Sequence, residues 1–143
     1  MLEDLARAIF EEESEGMTET HCAALRRVRF AVVFPILELG FDAPEMVPLR
    51  IRLDASRYNA EAPVVTLCDW EGNPFQTLPR SGGIFNNTEH EITHLPFVCM
   101  IGTNEYHTHS SHVSDAWSQY RDSRTLGSIV YQIQQGWLQI WRQ

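Results

Sequence analysis

The chain has 143 residues, 43% of them apolar and 21% charged. That is enough for one ordinary globular core, expected as a single domain over 1–143, and it does not fit a disordered or collagen-like chain. Eleven basic residues stand against nineteen acidic ones, a net charge of −8, which argues against nucleic acid as a partner because phosphate binding needs surplus cations. All eleven cations are Arg, and no Lys occurs anywhere in the chain.

The longest apolar run, Phe30 to Leu37, is broken by Pro35 and falls far short of the ~20 residues that cross a bilayer, so no membrane span is expected. Glu3 and Asp4 stand where a secretory signal would carry basic residues, and none is expected. Cys22, Cys68 and Cys99 are odd in number and form no Cys-x-x-Cys pair, so neither a disulfide framework nor a zinc finger follows from them. A reducing cytoplasm is the expected compartment.

In chain order, Leu2 to Glu15 reads as a helix. Leu2, Leu5, Ala6, Ile9 and Phe10 recur at helical spacing, and Glu11-Glu12-Glu13 forms a solvated face near a stop at Gly16. Cys22 to Arg29 extends a helix or leads into a strand. Phe30 to Leu39 is rich in Val, Ile and Phe and reads as one buried strand bulged at Pro35. Leu49 to Asp54 alternates apolar with charged residues, the mark of a half-buried antiparallel strand. Val64 to Cys68 is a further strand.

Trp70 to Thr93 is rich in Gly, Pro and Asn and reads as a long irregular stretch. Ser123 to Trp141 closes the chain as a helix capped by Ser123 or Thr125, with Leu126, Ile129, Val130, Ile133, Trp137, Leu138 and Trp141 as its core stripe. A helix followed by a strand meander and a closing helix predicts the α+β class.

The chemistry gathers between His94 and Trp117, which holds four of the six His together with Cys99, Glu105 and Asp115. Two accounts compete. Cys99 is a nucleophile whose proton an imidazole removes while a carboxylate orients that imidazole. Glu105, His107 and His109 supply these groups if the segment is extended, because alternate residues of a strand share one face. Otherwise Cys99, His107, His109 and His112 are zinc ligands, with Glu105 as a substitute for Cys99. Cys22 and Cys68 read as buried thiols, Tyr106 and Trp117 as packing residues, and His21, His90 and His94 as polar structural residues.

The order of elements resembles that of ubiquitin-conjugating enzymes. Leu49-Arg-Ile-Arg-Leu-Asp running to Tyr58-Asn-Ala-Glu-Ala-Pro63-Val is similar to their strand and Tyr-Pro-x-x-Pro-Pro-x-Val turn. His94-Leu-Pro96-Phe-Val-Cys99-Met100 resembles a shortened His-Pro-Asn…Cys-Leu active-site segment. The family Asn is replaced here by Leu95-Pro96-Phe97, and the Pro pair is reduced to Pro63.

Cys99 with Glu105, His107, His109 and His112, followed by Asp115-x-Trp117 and Tyr120-Arg121, is also similar to a bacterial family named for its Cys, Glu, His and His residues. Those proteins accompany ubiquitin-like proteins, adenylating enzymes and JAB-type peptidases in operons thought to act in conjugation and antiphage defence. The resemblance implies a UBC-like α+β fold with a long active-site segment. Cys99 would carry a ubiquitin-like protein as a thioester received from an adenylating enzyme and pass it to an amine, with no cofactor. His107 would be the base, Glu105 its orienting carboxylate, and His109 a source of charge stabilisation. The alternative is a non-catalytic zinc-binding adaptor. A carrier of activated acyl groups without Lys offers no side-chain amine to modify.

Overall fold

The structure is a computed structural model and describes residues 2–142. It is mixed α+β, with an N-terminal helix, a four-stranded antiparallel sheet and a C-terminal helix. Helix α1 spans Leu2–Ser14 and α2 spans Glu19–Ala24. Strands β1 (Arg27–Val33), β2 (Ile36–Phe41), β3 (Leu49–Asp54) and β4 (Val64–Cys68) follow as a meander in the order β1-β2-β3-β4. A two-stranded ladder of β5 (Phe85–Asn86) and β6 (Phe97–Val98) comes next, then the short helix α3 (Asn104–Thr108) and α4 (Leu126–Trp141). No helix among the described residues is long and apolar enough to cross a membrane.

The expected single strand from Phe30 to Leu39 is a hairpin. Pro35 occupies the turn, with Val33 paired to Ile36, because a residue without an N–H cannot hold an interior rung of a ladder. The bulge lies earlier, between Arg29 and Ala31.

Register explains the two faces of the sheet. Leu37, Leu53 and Val65 align across three strands, as do Leu39, Ile51 and Leu67. These residues are buried in one cluster with Ile129, Ile133 and Trp137 of α4. The other face aligns Glu38 with Arg52 and Gly40 with Arg50. There Glu38 is buried between Arg50 (3.2 Å) and Arg52 (3.1 Å). Arg50 lies 3.8 Å from the centroid of the Phe30 ring, which meets Trp70 edge-on. The alternation in β3 is therefore real, but its charged side is partly covered.

α1 buries Ala6, Phe10 and Ser14, a stripe at four-residue spacing. Leu2 and Leu5, expected in that stripe, are 41% and 58% exposed. The acidic run is not wholly solvated either. Glu13 accepts from the Leu126 N–H at 2.7 Å and from the Tyr58 hydroxyl at 2.8 Å. Its charge sits at the N-terminus of α4, where unpaired N–H groups favour an anion. Thr125 and Ser128 complete that end as a capping box.

Candidate functional site

Cys99 follows directly on β6. The ladder pairs Phe85 with Val98 and Asn86 with Phe97, and the Cys99 N–H donates to the Ile84 carbonyl at 2.7 Å. The chain then turns at Gly102, whose φ of +109° favours glycine and where a Cβ would stand 3.2 Å from Ile129 Cγ1. Thr103 caps α3 by accepting from the Tyr106 N–H, while its hydroxyl reaches the carbonyls of Val98 and Met100, each at 3.0 Å.

A cap followed by a helix overturns the expected extended strand. Helical residues two apart point about 200° away from each other, so Glu105 and His107 do not share a face, while His109 lies beyond the end of α3 with extended backbone, and each has a separate environment.

Glu105 turns inward and is 3% exposed. Its carboxyl oxygens accept from the Val65 N–H at 3.0 and 3.2 Å. β4 is the edge strand of the four-stranded sheet, so this contact closes an edge donor and fastens α3 to the sheet. Burial raises the Glu105 carboxyl to about 7.

His107 has both ring nitrogens occupied. Nδ1 lies 2.6 Å from the Asp115 carbonyl, and Nε2 accepts from the Gly102 N–H at 3.1 Å. A carbonyl can only accept and an N–H can only donate, so the ring is the neutral Nδ1–H tautomer with no lone pair free for a thiol. His107 fixes the Gly102 bend, and the base role expected for it is not available in this geometry.

His109 stacks on Phe97 (5.7 Å, 22°), and its Nδ1 accepts from the Ser111 N–H at 3.2 Å. It caps the 3-10 turn Ser110–His112. His90 is buried, accepts at Nδ1 from the Ile92 N–H and donates from Nε2 to the Glu105 carbonyl at 2.8 Å. His94 and His21 are exposed.

The imidazole that meets the thiol is that of His112. Its Nε2 lies 3.5 Å from Cys99 Sγ, a distance suited to an S–H···N hydrogen bond. The His112 ring lies flat on Tyr106, with centroids 4.1 Å apart and planes 11° from parallel. The Tyr106 hydroxyl donates to the Asp115 carboxylate at 2.7 Å, which together with partial burial pushes the phenol up to about 12.

Cys99 is partly exposed, whereas Cys22 and Cys68 are buried. Burial still raises the Cys99 thiol, so its resting form is S–H, and reaction requires its proton to move to the adjacent nitrogen. A groove of about 390 Å³ lies against α4, bordered by Ile84, Met100, Gln135 and Gln139, with Cys99 outside its lining.

The four predicted zinc ligands are not assembled. Cys99 meets His112, while His107 and His109 are engaged elsewhere, and among the described residues no three His, Cys, Asp or Glu are grouped to hold a metal ion. His112 was legible as a ligand alternative and as one position of the family resemblance, Asp115 only as part of that resemblance, and Tyr106 as a packing residue. Neither a protein-family model nor a curated protein matches the chain.

Proposed function

We propose that the chain is a ubiquitin-conjugating-type acyl carrier with a UBC-like fold, and that Cys99 bears the C-terminus of a ubiquitin-like protein as a thioester. The observation that carries the reading is the contact at 3.5 Å between a partly exposed thiol and the Nε2 of His112. Attack forms the bond between Sγ and the activated carbonyl carbon and breaks the bond from that carbon to the thiol of the activating enzyme. The proton of Cys99 passes to His112 and from there to the departing thiolate. In the second transfer an amine nitrogen bonds to the carbonyl carbon, the Cys99 thiolate leaves, and His112 receives the amine proton. General-base assistance of this kind contributes ~10²–10⁴ in rate.

Two further features support the reading. A helix, a strand meander and a closing helix flank the thiol segment in the order the sequence resemblance implies. The chain has no Lys, so no side-chain amine competes for the acyl group. The pathway in this reading is a bacterial conjugation pathway of antiphage defence, with an adenylating enzyme and a JAB-type peptidase as partners in the cytoplasm. In this reading Glu105 and His107 shape the site, while the base role belongs to His112.

The test mixes the purified chain with the ubiquitin-like protein and adenylating enzyme encoded alongside it, and ATP. The expected product is an adduct that reductant removes, that Cys99→Ala abolishes and that His112→Gln slows by at least ~10-fold. No adduct with the native chain, or one that persists in Cys99→Ala, would overturn the assignment.

A further inference from the structure

We infer that Tyr106, tethered by Asp115, is a positioning residue that holds the His112 imidazole flat at its working distance from Cys99. The inference rests on the thiol–imidazole pair proposed above and adds residues to it.

His112 ends a three-residue 3-10 turn and is followed by Val113, which is 63% exposed. A side chain there has no helix or strand to fix it. What it does have is two ring neighbours, His109 tilted at 44° with centroids 5.9 Å apart and, much closer, Tyr106. The Tyr106 ring lies parallel to it at 4.1 Å, whereas the neighbouring contacts of His107 with Tyr106 and of His90 with Phe97 are edge-on, at 80° and 82°.

The Tyr106 ring is itself held at both ends. Its backbone starts α3 at the Thr103 cap, and its hydroxyl is bonded to Asp115. Asp115 is in turn fixed by its N–H to the His112 carbonyl at 2.9 Å and by its own carbonyl to His107, whose other nitrogen binds Gly102. The bend that carries Cys99 and the turn that carries His112 are thus joined through Tyr106, Asp115 and His107.

The chemistry favours this arrangement. When His112 takes the thiol proton it becomes a cation. An electron-rich ring face against it, enriched by the hydrogen bond to a carboxylate, stabilises that cation. A residue that merely filled space would do neither, and its removal would act whether or not His112 is present.

That difference is the test. Alkylation of native Cys99 by iodoacetamide is followed by intact mass, with Cys22 and Cys68 buried and silent. His112→Gln is expected to slow it by at least ~10-fold, and Tyr106→Leu by about three- to tenfold. Tyr106→Phe, which keeps the ring but cuts its tether to Asp115, is expected to slow it less than Tyr106→Leu, by about two- to threefold. In the double variant, Tyr106→Leu adds nothing to His112→Gln.

If His112→Gln leaves the rate unchanged, the thiol–imidazole pair itself is wrong. If His112→Gln slows the reaction but Tyr106→Leu does not, or slows it equally with His112 absent, the positioning role is refuted and the pair stands. Should Tyr106→Leu unfold, seen as labelling of Cys22 and Cys68, Tyr106→Phe is judged by the same criterion: slowing only while His112 is present supports the role, and any other result refutes it.

Discussion

Replacing Glu105 by Gln tests how α3 is fixed to the sheet. The Glu105 carboxyl is buried against the Val65 N–H, and burial raises it from 4.5 to about 7. The folded chain therefore keeps this proton over a pH range in which the unfolded chain has released it. An unfolded state that binds fewer protons means that stability falls as pH rises. The contribution is fully present below pH ~4.5, declines through the window between the two values and is lost above ~7. Between pH 5 and pH 8 the difference amounts to about 2–3 kcal/mol at 1.36 kcal/mol per unit.

Gln has nearly the same shape, accepts from the same N–H and does not titrate. The assay is urea denaturation of both proteins across that range, taken as the difference between them so that every other titrating group cancels. The stability of Glu105→Gln relative to native is expected to rise by about 2–3 kcal/mol from pH 5 to pH 8. Parallel pH curves would show that Glu105 does not titrate with folding. A native chain that gains on the variant as pH rises would show that the carboxylate is held ionised by Val65, reversing the sign of the argument.

Two further outcomes follow from burial and close approach. Of the three thiols, only Cys99 is expected to react with a disulfide reagent in the native state, because Cys22 and Cys68 are fully buried and burial raises both thiols. All three should react in denaturant, and two or more fast native thiols would contradict the packing. Gly40→Ala places a Cβ 2.5 Å from Trp70 Cζ3 and 2.7 Å from Phe30 Cε2, so the aromatic cover over Arg50 must shift. A loss of about 1–3 kcal/mol by denaturant unfolding is expected, accompanied by a change in Trp emission. A loss under ~0.5 kcal/mol would mean that these rings are not closely packed.

The local patterns were legible wherever one periodicity ruled a whole segment. The alternation of Leu49 to Asp54 marked β3, Val64 to Cys68 marked β4, and the stripe from Leu126 to Trp137 with Thr125 before it marked α4. Burial on one side of an element imposes that period, so the sequence determined these elements and the α+β class by itself. The cluster between His94 and Trp117 was also visible, and so was the choice of Cys99 among three thiols.

Its internal geometry was not legible. A single cap at Thr103 made the segment helical instead of extended and sent Glu105 inward to Val65, forty positions away. Gly102 bent the chain against Ile129, and His107 was taken up by backbone groups, leaving His112 to face the sulfur. Residues five to thirteen positions apart have no fixed relation in a loop. Contacts with the distant elements β4 and α4 set the path of the chain, so only the tertiary structure could decide which of four imidazoles meets the thiol.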